Sequence, residues 1–540
     1  MKQSSTTTIA LLLGLFLGLS ACSGWMDLTP SDNPTDKMVW TKAEYVDLYV
    51  NGFYPYIHDY GQFGSAQFAG NLTESLTDTY KYGSSAINPK AGQANIYVTN
   101  PSAITSAGAL YGIWDNAYLR IRELNQFLAS MRQYSAFPAE RNALWEAQVR
   151  FFRAFIYDQL ARRYGGVILY TSLDQMKKET PRATEKEVWD LVEADLDFAI
   201  QNLPEEWPSA QDKGRITKTM AAAYKSRAML FAQRWQSAYD AADYVIASGK
   251  YGLMDSYADA WRGANKEAIL EYRYDLNGPT HLFDQDHAPK CDGYELGALG
   301  TPTQEMVEEY ELADGSRMDW TPYHKANANR PPYEKLEPRF HATVIYPGST
   351  WKGKKMDNSV GGQNGSYIEY KSRPFSYGET TTGYFLKKLV NEKHLDLNGV
   401  KSTQPWVEIR YAEVLLNKAE AAIHLSRASE ARALINQVRA RVQLPPITSS
   451  DRQLLEDYRH ERKVELAYEG HLFWDMRRWR LAHIKYDHYR CHGFRIEGDR
   501  YTYVDVDQAD RKFPERLYLL PIPSSELKRN DLVKQNPLWN

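Results

Sequence analysis

Cysteine is nearly absent from this 540-residue chain, which has three, at positions 22, 291 and 491. That is too few for a disulfide framework, so a large core must hold the fold. Sequence separation leaves open whether Cys291 and Cys491 pair or remain two thiols. An excess of one charge is missing as well: 65 Lys and Arg stand against 68 Asp and Glu, a net −3 at pH 7. A nucleic-acid partner needs a clustered basic surface, and this balance excludes it as an expectation. The apolar run Ile9–Leu19 has eleven residues, well short of the roughly 20 that cross a bilayer as a helix. Calcium-loop spacing and a His-Glu-x-x-His pair are lacking. Gly361-Gly362-Gln363-Asn364-Gly365 is not followed by an amphipathic helix and reads as a turn-rich loop, not a dinucleotide fingerprint. No cofactor is expected.

What is present begins with Lys2, the apolar run, and then Leu19-Ser20-Ala21-Cys22, the pattern of a removed signal peptide over 1–21. The last four residues resemble the bacterial lipobox. The resemblance implies that Cys22 becomes an acylated N-terminus, each buried methylene of its chains contributing about 0.8 kcal/mol to membrane retention. The alternative is a secreted protein in which Cys22 is structural. Residues 22–39 would then be a tether and 40–540 the folded part, within a mature chain of 540 − 21 = 519 residues.

Helical periodicity recurs along that part. Trp145, Val149, Phe152, Ile156 and Leu160 fall at offsets 0, 4, 7, 11 and 15, an amphipathic helix that Tyr164-Gly165-Gly166 ends. Val407, Tyr411, Val414, Leu415, Ala419, Ala422 and Ile423 repeat the pattern, and Ala431–Val442 follows after a short break. Trp189–Leu203 with Thr217–Ala232, and Ser237–Ser248, suggest further helix-turn-helix units, so a helical stack with degenerate repeats is predicted. Val464, Ala467, Tyr468, His471, Leu472, Asp475 and Trp479 predict one more helical stripe. Asp451–Arg480 carries seven acids and seven bases, which reads as a solvated face with ion pairs at helical spacing. His471 and Asp475, four apart, read as a buried hydrogen-bonded pair.

Two irregular regions, about 52–111 and 281–404, break the helices, and loops on a rigid scaffold are where binding residues concentrate. The second contains Tyr294, Trp320, Tyr323, Tyr333, Trp351, Tyr367, Tyr370, Tyr377 and Tyr384 among Gly, Pro, Asn and Thr. Sugar rings have apolar C–H faces and polar rims, which an aromatic plate beside Asp, Asn or Arg satisfies. The other reading of each aromatic is packing over the helices.

The block His460–Arg480 closely resembles a segment of the SusD/RagB family of outer-membrane nutrient-binding lipoproteins. Arg153-Ala154-Phe155, Tyr164-Gly165-Gly166-Val167, Arg410–Ala421, Ile435–Arg441 and Tyr518-Leu519-Leu520-Pro521-Ile522-Pro523 resemble the family's signatures in the same order. The resemblance implies a mainly α fold of about four tetratricopeptide-like helix pairs, with long loops and a small irregular or β-containing lobe. It divides the chain into a helical part at about 40–250 and a RagB/SusD part at about 265–540. It also implies a surface lipoprotein of the bacterial outer membrane that binds oligosaccharide or polysaccharide, catalyses nothing, and closes over a SusC-like TonB-dependent transporter. A RagB-like oligopeptide carrier is the alternative, and a glycoside hydrolase a further one. Thr73–Asp78 resembles the family's acidic segment, with Tyr80 and Tyr82 just beyond it, so Asp78, Tyr80 and Tyr82 are nominated glycan contacts, and Tyr294, Trp320 and Trp351 are nominated from the aromatic-rich second region; Asp78 also reads as a turn or cap residue.

Overall fold

The structure is a computed structural model that describes residues 36–62, 73–82, 112–294, 296–369 and 377–539. Cys22, the signal peptide, nearly all of the tether and Tyr370 lie outside them.

Among the described residues the helices of seven or more residues are α1 (Ala43–Asn51), α2 (Trp114–Tyr134), α3 (Ala139–Tyr164), α4 (Glu185–Asn202), α5 (Lys218–Phe231), α6 (Trp235–Ala247), α7 (Tyr411–His424), α8 (Ala428–Arg441), α9 (Asp451–Glu465) and α10 (Leu472–Arg478). From α2 to α9 each packs on the next, giving four successive pairs, with 248–410 inserted between α6 and α7. Local chemistry starts and stops these helices. Thr184 and Glu187 form a reciprocal capping box at α4, and Thr217 caps α5 through the Met220 amide. α3 ends where Gly165 takes φ +70°. α3 departs from the amphipathic expectation: every residue from Phe151 to Tyr164 is buried, including Arg153, Asp158, Gln159, Arg162 and Arg163, because the helix is enclosed by its neighbours on all sides.

Strands are short and pair only two by two. β1 (Tyr80–Tyr82) pairs with β3 (Gly300–Pro302), β2 (Ala268–Tyr272) with β4 (Trp406–Arg410), and β5 (His492–Glu497) with β6 (Arg500–Asp505), all antiparallel. Val407, read as the start of a helical stripe, is therefore in β4, and α7 begins only at Tyr411, whose amide donates to the Glu267 carbonyl.

The His460–Arg480 block is not one continuous helix. α9 stops at Glu465, Tyr468 (φ +65°) and Gly470 (φ +78°) make the turn, and α10 restarts at Leu472. Its charges are not a solvated face either. Glu461, Arg462, Glu465, Glu469, Asp475 and Arg477 are buried. Arg410 reaches Glu267 at 2.8 Å, Glu465 at 2.7 Å and Glu469 at 2.7 Å, and Arg339 reaches Glu337 and Glu461, each at 2.5 Å. Arg439 and Arg441 join from α8, and Lys388 lies 2.6 Å from Glu469. Burial would raise the Glu465 carboxyl, but Arg441, Arg410 and Arg339 hold it below the usual carboxylate range. Burial pushes Lys388 down to about 8 despite Glu469. This network ties β2, β4, α8, α9 and the inserted region into one unit. The side chains of His471 and Asp475 meet through Arg462, 3.4 Å and 2.6 Å away, and the two residues bond each other only through the backbone, where the Asp475 amide donates to the His471 carbonyl at 2.9 Å. Cys291 and Cys491 are free thiols.

Candidate functional site

β1 carries two of the nominated aromatics, and its pairing with β3 depends on a glycine. A Cβ at Gly300 would lie 2.1 Å from the Tyr80 ring, so the ring can cross the strand only because position 300 has no side chain. Tyr80 and Tyr82 are both fully enclosed, their centroids 6.0 Å apart, and Tyr80 also packs on Tyr468 at 5.7 Å and His287 at 6.2 Å. Neither offers a face to a sugar; both are core residues beneath the site.

Above them lies the short helix Phe283–His287, which places Asp286 beside Tyr80. Asp286 is 7% exposed, and its Oδ2 has no hydrogen-bond partner. Burial pushes the carboxyl up to about 8, so it is protonated and able to donate at neutral pH. The Tyr80 hydroxyl and His287 Nε2 are also unpartnered. His287 stacks on Phe283 at 4.1 Å, and burial lowers it to about 4, leaving a neutral ring. Buried polar atoms without partners are costly, unless a bound group satisfies them.

Two half-buried aromatics, Tyr294 and Tyr377, lie on the adjoining segments. Tyr294 feels the Asp286 carboxyl, which, after burial, raises its hydroxyl pKa. Tyr377 is on a loop clamped to the same segment: the Lys290 amide donates to the Gly378 carbonyl at 2.7 Å, the Gly378 amide to Gly297 at 3.0 Å, and Lys290 pairs with Glu379 at 3.2 Å. Trp351 is buried, contrary to its nomination. Its Nε1 donates to both Asp292 carboxylate oxygens at 3.1 and 3.2 Å, and Lys352 adds a 2.8 Å contact. Trp351 therefore holds the loop that carries Tyr294.

The other nominees lie apart. Trp320 is buried at 5% exposure and packs on Tyr323 and Tyr333. The Asp78 side chain turns toward α9, 3.1 Å from Lys463, which also binds Glu309 at 2.8 Å, and it lines a separate cleft of about 320 Å³. Burial of the aromatics had no signal in the sequence, and Asp286 was missed for the same reason: Asp284-Gln285-Asp286-His287 reads as an ordinary polar loop.

Asp286→Asn tests the role of this proton. The folded carboxyl holds its proton from its ordinary 3.8 up to about 8, so native protein binds more protons than unfolded protein in that window and stability falls as pH rises through it. The neutral variant is expected to lose that slope and to exceed the wild type by about 1–3 kcal/mol at pH 8.5. Denaturant titrations at pH 5 and 8.5 check this; parallel pH profiles for the two proteins would contradict it.

Among the described residues no cluster of three or more His, Cys, Asp or Glu could hold a metal, and no helix is long and apolar enough to cross a membrane.

The chain matches known proteins over most of its length. A model described as "Starch-binding associating with outer membrane" covers residues 25–230. SusD-like protein P38 of Formosa agariphila is 24% identical over 517 residues, 89% of this chain and 93% of that protein. A crystal structure of a SusD-like protein from Bacteroides fragilis superimposes with TM-score 0.79 at 26% identity, covering 94% of this chain and 98% of the other. A second from the same organism, described as a SusD-like carbohydrate binding protein, gives 0.76 at 23% identity over 92% and 99%. The SusD family model itself matches residues 266–539, which hold most of the inserted region, the charge network and the Asp286 site, and the chain belongs to the SusD family.

Proposed function

We propose that this protein is a surface lipoprotein of the outer membrane, anchored through Cys22, which binds an oligosaccharide or polysaccharide and delivers it to a SusC-like TonB-dependent transporter without catalysing a reaction. The observation that carries the binding reading is Asp286, a buried carboxyl with an unpartnered oxygen near the half-buried Tyr294. A sugar stacked on Tyr294 would bring hydroxyls toward that carboxyl, pairing an apolar C–H face with an aromatic plate and a polar rim with a donor and acceptor. Family membership, and a similar structure described as carbohydrate binding, support the same reading.

Calorimetry of the purified mature chain against a panel of glycans and peptides tests it. Saturable heat with at least one glycan and none with peptides is expected, with no reducing ends released on incubation. Heat with peptides alone would favour an oligopeptide carrier, and reducing ends in proportion to protein would favour a hydrolase. For the anchor, Cys22→Ala is expected to move the protein from the membrane to the soluble fraction, since the methylenes of its chains supply the retention. Retention of the variant, with no lipid mass on the wild type, would contradict the assignment.

A further inference from the structure

Three histidines lie in or against the short helix Phe283–His287, and their hydrogen bonds set one of them apart. His281 accepts from the Phe283 amide at Nδ1, 3.2 Å away, and its Nε2 donates to the Gln404 carbonyl at 3.0 Å, so a neutral ring satisfies both atoms. His287 is neutral too, its Nδ1 donating to the Phe283 carbonyl at 2.9 Å. His394 has acceptors on both sides. Its Nδ1 lies 2.8 Å from Asp284 Oδ2, and its Nε2 lies 3.2 and 3.0 Å from the Asp396 and Val400 carbonyls. A neutral imidazole has one N–H; the imidazolium, with two, serves both sides at once.

Asp284 calls for the same charge. Its side chain is 1% exposed, and it receives the His394 ring on one oxygen and the Asn391 amide on the other, each at 2.8 Å. A carboxylate so buried is costly without a cation, and His394 is its ion-pair partner. The hydrogen bond to Asp284 holds the ring above its ordinary 6.5, with burial opposing. The other charged or titratable groups around the ring are accounted for. Neutral His281 disfavours its charge weakly, Lys352 donates to the His394 carbonyl at 2.8 Å, and the Asp396 carboxylate turns onto the Gly399 amide at 2.8 Å. Glu392 and Lys393, beside it in the chain, are exposed.

The pair fastens the loop 391–400, most of which is exposed and of which Leu397 alone is buried. Other ties run from this loop to the proposed glycan site. Gln285 donates to the Val400 carbonyl at 2.9 Å, and Asn398 to the carbonyl of Gly293, next to Tyr294, at 3.3 Å. Lys352 joins the His394 carbonyl to Asp292, each at 2.8 Å.

We propose that Asp284 and a protonated His394 form a latch that holds the loop 391–400 against the helix bearing Asp286, and that loss of the His394 proton releases the loop together with the Tyr294 segment it braces. Such a latch regulates the proposed glycan site by pH, and its effect on affinity rests on that reading. The folded ring binds its proton more tightly than the unfolded chain does. The latch is therefore complete below pH 6.5 and fades as the pH rises through the folded value. Asp286, two residues along the helix from Asp284, also loses a proton on the way to pH 9, so variants must separate the two.

Hydrogen exchange of the mature protein, read by mass spectrometry at pH 6 and pH 9, tests the latch. Exchange at the imidazole C2 positions gives the pKa of each histidine in the same experiment. Amide protection over 391–400, corrected for the intrinsic effect of pH, is expected to fall severalfold in the wild type and in Asp286→Asn, and to be low at both pH values in His394→Gln. His394 is expected to titrate above 6.5, and Asp284→Asn to bring it back toward 6.5. Glycan affinity should fall more steeply with pH in the wild type than in His394→Gln. Equal loop protection at both pH values, a His394 pKa at or below 6.5, or equal affinity slopes in those two proteins would overturn the proposal. No glycan heat at any pH, with the loop response intact, would sink the glycan reading and leave the latch standing.

Discussion

Arg410→Ala is expected to destabilise the protein by about 3–5 kcal/mol, the cost of leaving buried carboxylates without their partner. Arg410 is 1% exposed and faces Glu267, Glu465 and Glu469, all of them buried. Removing it leaves Arg441, Lys388 and the more distant Arg339 to hold three acids in a dry interior. The control is Arg273→Ala, which breaks a 2.6 Å pair with Glu271 whose arginine is 57% exposed; such a pair contributes no more than about 1 kcal/mol. Denaturant unfolding of both variants separates the readings. Equal losses would mean that the network is no more than an ordinary surface pairing.

Trp351→Ala and Tyr294→Ala are expected to fail in opposite ways. Trp351 is fully enclosed and locks Asp292, so its removal should cost about 3–5 kcal/mol of stability. It should also weaken ligand binding, because the loop bearing Tyr294 loses its anchor. Tyr294 is half-buried at the rim. Its loss should leave the melting temperature nearly unchanged while removing about 2 kcal/mol or more of binding free energy, as for a stacking anchor. Measuring both quantities on both variants is decisive. A Tyr294→Ala protein that binds the preferred ligand at wild-type affinity would place the ligand elsewhere.

The helical stack was legible because burial of one face imposes a 3.6-residue period, and Trp145 to Leu160 repeats it plainly. The break inside His460–Arg480 was harder to see, since Tyr468 adopts the left-handed turn conformation without being glycine or asparagine. The charge network was hidden for a different reason. Equal numbers of acids and bases look alike whether solvated or buried, and the partner of Glu461 is Arg339, 122 positions away. The same limit applies to the site. Composition located the aromatic loops, yet which rings face outward depends on contacts such as Tyr80 across Gly300 and Trp351 on Asp292. Asp286 has its role only because the surrounding chain buries it.

The central claim is that a glycan is held between the Tyr294 rim and the Asp286 floor. A crystal structure of the mature protein with its preferred glycan tests that most directly. The account predicts a sugar ring against Tyr294 or Tyr377, with a hydroxyl within about 3.2 Å of Asp286 Oδ2. A glycan ordered at another surface, such as the cleft of about 860 Å³ beside Tyr118 and Tyr170, with Asp286 still unpartnered, would contradict it.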